Sequence, residues 1–225
     1  MTQERVLSLF KFGQRDHIEE FVRDGHLYMN TMSYFAALEA KTLRADKDEG
    51  SIFCMQSDKA KLSMKIDGEF KEIPGLLGPI LFRENQDQTA NVFCMYALRG
   101  SQASKLVDPR IFDFGATYAL LTNGDEFLRR VKVAAQNSGK FLQWRLVTYV
   151  DRDRYSGRMG IFTKFSSFSY QSEFRIALSP SDGCPYSLWI GDLSDVAVTG
   201  ELAQVNNVLR VVDTQLQLSN YQGKR

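Results

Sequence analysis

The chain has 225 residues, 44% hydrophobic and 12% aromatic, which is enough apolar material for a substantial core and excludes an intrinsically disordered segment. Lysine and arginine number 28 against 27 aspartate and glutamate, so no whole-molecule field pulls toward nucleic acid or a membrane, and any such attraction must be local. The three cysteines, Cys54, Cys94 and Cys184, are odd in number and widely spaced, which argues against a disulfide framework and for reduced thiols in a cytoplasmic protein.

The opening "MTQERVLSLFKFG" holds an apolar run of about six residues, too short for a signal-peptide core, and no later segment approaches the ~20 apolar residues that span a bilayer. Membrane association is therefore not expected. Val6 to Phe12 reads as a buried strand bounded by Gly13. "RDHIEEFVRDG" then sets Ile18, Phe21 and Val22 at helical spacing and stops at Gly25. "HLYMNT" predicts a second strand, 33–40 a short helix, and "LRADKDEG" a charged loop closing at Gly50. "SIFCMQ" is a further strand. "KLSMKI" and "EFKEI" flank Asp67-Gly68, the dipeptide of a two-residue hairpin turn. "ANVFCMYAL" and "ATYALLT" are buried strands, and Phe127, Leu128, Val131 and Ala135 mark one face of a helix over 125–135. "FLQWRLVTYV", "YQSEFRIAL", "YSLWI" and "DVAVT" complete the strands, while 201–218 fits a helix or a strand. The predicted class is α+β: a single domain over 1–225, with an N-terminal strand-helix-strand, a mainly antiparallel sheet and peripheral helices.

Written as a strand, "YQSEFRIAL" puts Tyr170, Ser172, Phe174, Ile176 and Leu178 on one face and Gln171, Glu173 and Arg175 on the other, about 7 Å apart. A solvated sheet surface accounts for that row as readily as a site does. Gln171 and Glu173, late in the chain after a strand-helix-strand opening, resemble the Gln/Glu-x-Glu signature of ADP-ribosyltransferases. That family cleaves the nicotinamide glycosidic bond of NAD and passes ADP-ribose to an acceptor. Departure of nicotinamide leaves an oxocarbenium-like ribose, which a fixed carboxylate stabilises as it does at glycosidase sites. The resemblance assigns that role to Glu173, with Gln171 beside it orienting the acceptor; glutamine there argues against the arginine-modifying subgroup.

The front end "LSLFKFGQRDHIEEFVRDGHLYMNTMSYF" resembles the opening of ADP-ribosyltransferases of the bacterial toxin and anti-phage type. It also resembles an uncharacterised bacterial family with a "YKF"-like first strand and a later Glu-x-Glu or Gln-x-Glu strand followed by an aromatic residue and arginine, here Phe174-Arg175. The likeness covers roughly residues 5–50 and 164–178. It implies an ADP-ribosyltransferase-like split sheet, with NAD as ADP-ribose donor and no metal. Lys11 would meet a pyrophosphate where many transferases place histidine or arginine, as a point charge without the guanidinium fork. Tyr28 would stack on nicotinamide, with Tyr34 a second candidate; the plainer reading of Tyr28 is a half-buried packing tyrosine. Arg44, in the charged loop, would pair with a phosphate or orient Glu173, unless that loop is simply a solvated turn.

Other chemistries find less in the chain. "LRADKDEG" lacks calcium-loop spacing, the two histidines His17 and His26 form no metal or triad pattern, and no dinucleotide or Walker glycine pattern occurs. Asp67, Glu69 and Lys71 carry the acid-x-lysine spacing of two-metal nucleases, but at a hairpin tip. Residues 129–164 carry seven more basic than acidic side chains, interleaved with Phe141, Trp144, Tyr149, Tyr155 and Phe162. Such a stretch can approach single-stranded RNA or DNA, or its charges can scatter over several faces. The leading expectation is a cytoplasmic NAD-dependent ADP-ribosyltransferase, a toxin of a toxin–antitoxin or anti-phage defence system. Its acceptor would be RNA, another nucleic acid or a protein, and its partners an antitoxin and, by resemblance to tripartite systems, a chaperone. The alternatives are a metal-dependent nuclease toxin and a non-catalytic interaction domain on a transferase-like fold.

Overall fold

The computed structural model describes residues 6–37, 48, 50–75, 78–83, 90–100 and 107–209. The chain opens as β1 (Val6–Gly13), α1 (Arg15–Asp24), β2 (His26–Thr31) and α2 (Met32–Ala37). The first helix buries Ile18 and Phe21 and ends at Gly25, whose φ of 63° is left-handed. A Cβ at Gly25 would stand 2.1 Å from the Gly191 carbonyl oxygen, so glycine is required there for space as well as conformation.

Next come β3 (Ser51–Met55), the hairpin β4 (Leu62–Ile66) and β5 (Glu69–Ile73), β6 (Ile80–Arg83) and β7 (Asn91–Arg99). Asp67 and Gly68, with φ of 53° and 87°, supply the two positive values that a type I′ turn needs, and Ile66 pairs with Glu69 as expected. The second half contains β8 (Thr117–Leu121), α3 (Gly124–Asn137), β9 (Phe141–Leu146), β10 (Thr148–Val150), β11 (Gly157–Arg158), β12 (Thr163–Phe165), β13 (Glu173–Ser179), β14 (Tyr186–Trp189), β15 (Ala197–Glu201) and α4 (Val205–Val208). The ambiguous 201–218 segment is short helical turns as far as Val208, and its remainder from 210 lies outside the described residues.

The architecture is α+β around an eight-stranded, antiparallel sheet. On its path β14-β2-β7-β1-β8-β15, strand β7 carries a third partner, β13, which in turn pairs with β9. One edge of β7 runs along β13 from Asn91 to Tyr96. The other edge is shared: β1 pairs with Tyr96 to Arg99 and β2 with Asn91 and Val92. The sheet therefore splits beside residues 93–95, where β1 and β2 part.

Register fixes two faces. Leu9, Phe93, Met95, Ala97, Phe174, Ile176 and Leu178 pack beneath Ile18 and Phe21 of α1 and Phe127, Val131 and Ala135 of α3. On the far face lie Phe10, Phe12, Tyr96 and Tyr118 in one cluster and Val92, Ala177 and Met32 in another. Between those clusters stand Glu173 and Arg175, opposite Tyr96 and Cys94 of β7. Two expectations change here. "FLQWRLVTYV" is not one strand: it breaks at Val147, whose N–H donates to the Glu173 carbonyl, and continues off the sheet as β10, parallel to β12. "YQSEFRIAL" is strand only from Glu173, because Ser166–Gln171 forms a 3-10 turn and Ser172 takes a left-handed φ of 42°.

Candidate active site

The left-handed residue brings Gln171 and Glu173 together, where strand alternation alone would hold them two positions apart. Ser172 is pinned at both ends of its conformation: its Oγ donates to the Ala97 carbonyl at 2.7 Å, and its own carbonyl accepts from Ala97 N–H at 2.7 Å. With the chain turned there, Lys164 Nζ donates to Gln171 Oε1 at 2.8 Å and to Glu173 Oε1 at 2.9 Å. Arg175 Nε donates to Glu173 Oε2 at 2.6 Å. Lys164 is delivered by β12, and the adjoining β10 supplies Tyr149, whose hydroxyl accepts the Glu173 N–H at 2.9 Å.

The row is not a wet surface. Gln171, Glu173 and Arg175 are only 4%, 7% and 1% exposed, and the apolar side of β13 is buried too. Burial pushes the Glu173 carboxyl up, but the charges and hydrogen bonds of Arg175 and Lys164 outweigh it and hold the group at about 2. Glu173 is thus a permanent anion at neutral pH. Each carboxylate oxygen receives one cationic donor and retains a second lone-pair direction. Burial, with the Glu173 charge adding to it, pushes the Tyr149 phenol up, so that group stays neutral.

The remaining predicted residues fall in different places. Alternation turns Lys11 to the helical face, away from Glu173. Its Nζ donates to the Cys94 carbonyl at 2.9 Å and lies 4.1 Å from the Phe93 ring centroid. That carbonyl belongs to the stretch of β7 that neither β1 nor β2 pairs, so Lys11 bridges the split from the opposite side. Tyr28 is on the far face with Glu173. Asn30, Val92 and Ala177 form one cross-strand row, and Tyr28 lies two residues back along β2, where that strand has parted from β7 on the way toward the level of Arg175. It is 53% exposed, with about half of its surface covered, and stands edge-on to His26. Tyr34, on α2, is exposed and packs edge-on against Phe35. Arg44 lies outside the described residues.

Lys164 and Tyr149, the residues that hold Glu173, were legible only as members of the basic, aromatic stretch. That stretch scatters. Arg129 and Arg130 pair with Glu126, Arg130 also with Asp195, Arg152 with Asp48, and Lys164 is buried against Glu173. Asp67 occupies the hairpin turn, with Glu69 and Lys71 exposed along β5. Among the described residues no cluster of three or more histidine, cysteine, aspartate or glutamate side chains is placed to hold a metal ion, and no helix is long and apolar enough to cross a membrane. Comparison of the chain with protein families, with curated proteins and with solved structures found no match.

Proposed function

We propose that the chain is an NAD-dependent ADP-ribosyltransferase in which Glu173 is the carboxylate that acts on the ribose and Gln171 its neighbour toward the acceptor. The observation that carries the reading is the convergence of Gln171 and Glu173 on one lysine, with Glu173 held ionised beside the split in the sheet. A fixed anion whose oxygens keep free lone pairs suits a ribose hydroxyl and a ribose carbon that gains positive charge. In the transfer, the bond between nicotinamide nitrogen and ribose C1′ breaks and its electron pair leaves with nicotinamide. The acceptor nucleophile bonds to C1′, and its proton passes to solvent. Exposed Tyr28, on the same face, offers a ring for the nicotinamide or adenine end of NAD. The sequence resemblance extends the proposal to a toxin restrained by an antitoxin, with a chaperone as third component; the basic stretch at 129–164 is what points to RNA, ahead of other nucleic acid or protein, as acceptor.

The pairing of Glu173 with two buried cations favours a second reading, in which the cluster is a structural ion triad of a non-catalytic interaction domain. Glu173→Gln separates the two. Incubated with NAD labelled on the adenylate phosphate and with cellular RNA, DNA and protein, the unmodified chain should label one polymer class and release nicotinamide. The variant, shown to be folded by near-ultraviolet circular dichroism, should lose at least a hundredfold of that rate and its toxicity in cells. Equal nicotinamide release by a folded variant, or none by either chain, would leave the triad as structure only.

A further inference from the structure

Strand β14 ends the sheet on one side, since among the described residues it pairs only with β2. The polarity of its free edge follows from its last ladder bond. Ile190 N–H donates to the Gly25 carbonyl on the β2 side, so alternation turns the N–H and C=O of Ser187 and Trp189 outward. The segment "YSLW" is short and preceded by Pro185, but within it there is neither lysine nor proline nor a bulge, and its register with β2 runs unbroken over four pairs. Beside this edge is a groove of about 450 Å³ between β14 and α3. Arg130, Val133, Ala134 and Asn137, spaced as one stripe along the helix, form its wall, and Tyr186, Leu188 and Trp189 border it from the strand. Arg129 and Arg130 stand at one end, and among the described residues no carboxylate lines it.

We propose that this edge and groove accept an extended segment of a partner protein as an added strand, with apolar residues at alternate positions and a carboxylate at the arginine end. Outward main-chain pairs two residues apart are satisfied together by another strand. Alternate side chains of that strand fall on the groove side, against Val133 and Ala134. The others run along the outer face, beside Trp189, which is 53% exposed and stacked on His26 with ring centroids 4.0 Å apart. Both guanidiniums contact Glu126, and Arg130 also Asp195, yet the Arg129 side chain is 63% exposed, so it can take a second carboxylate. This inference does not depend on the Glu173 chemistry.

The probe is a capped octapeptide of alternating valine and threonine with glutamate at each end. Added to the full chain, it should slow hydrogen exchange at the Ser187 and Trp189 amides at least tenfold and leave Leu188, whose amide points to β2, unchanged. Ser187→Pro removes an outward N–H without breaking a ladder bond. It should weaken binding at least tenfold, whereas Ser187→Ala, which loses the same Oγ contact with His26, should stay within twofold. Arg129→Ala should weaken the glutamate peptide severalfold and a glutamine version not at all. The proposal is overturned if binding survives Ser187→Pro, or if those two amides are equally protected without peptide. Protection by an oligonucleotide and not by the peptide would also overturn it. Should Ser187→Pro not fold, the amide pattern in the unmodified chain decides.

Discussion

Removing the Glu173 carboxylate takes from two buried cations, Lys164 and Arg175, the anion that both of them bond. Glu173→Ala should therefore cost roughly 3–5 kcal/mol of stability, read from urea unfolding. Glu173→Gln should cost less, because an amide oxygen can still accept from Lys164. The pH dependence has a definite sign. A carboxyl held at about 2 in the folded chain against an ordinary value of 4.5 contributes stability that is fully present above about 4.5 and is lost as pH falls toward 2. Acid unfolding of the unmodified chain should steepen in that window, and the steepening should shrink in Glu173→Gln. Much of the pair was legible beforehand: Gln171 and Glu173 stand two apart in "YQSEFRIAL", and chemistry alone makes that spacing meaningful. Their burial was not legible, because an alternating strand reads the same whether its polar face meets water or a lysine arriving from another strand. Nor was Ser172's left-handed turn, since serine carries no signal for it.

Among the elements, helix boundaries were the most readable because their chemistry is local. α1 stops at Gly25 as its spacing predicts, and α3, expected over 125–135, runs Gly124–Asn137 behind the cap Asn123, whose Oδ1 accepts from Glu126 N–H at 3.1 Å. Asn123→Ala should lower stability by about 1 kcal/mol. Gly25→Ala should cost more than the ~1–2 kcal/mol of its left-handed backbone, since the added methyl also meets Gly191. Thermal melts of the two variants test that order. The hairpin at Asp67-Gly68 was readable for the same reason. The break at Val147 was not, because its cause is a bond to the Glu173 carbonyl that no neighbouring residue announces.

At the scale of the whole molecule, stability is concentrated in β7 and β13. β13 is buried on both faces and paired on both edges, whereas among the described residues β4 and β5 pair only with each other, and they expose Leu62, Met64 and Phe70. A lone two-stranded hairpin is marginal in water. Amide exchange under native conditions should rank the hairpin with the fastest sites and β7 and β13 with the slowest, the latter at the global unfolding free energy. Equal protection of the hairpin would mean that it is covered in solution. The branching of the sheet at β7 also explains why topology lay beyond sequence: hydrophobic alternation marks strands but does not say which of them share an edge.

The closing of β14 onto β2 has a consequence for synthesis. His26 and Ser187, hydrogen-bonded across that pair, are 161 residues apart. While the chain is being made, the strand pairing of β2 among the described residues is its two-pair contact with β7 until residues 186–189 have emerged. A ribosome that stalls before Trp189 is translated would release a chain whose β2 is open to any passing strand, so incomplete products should be markedly more prone to aggregation than the finished protein.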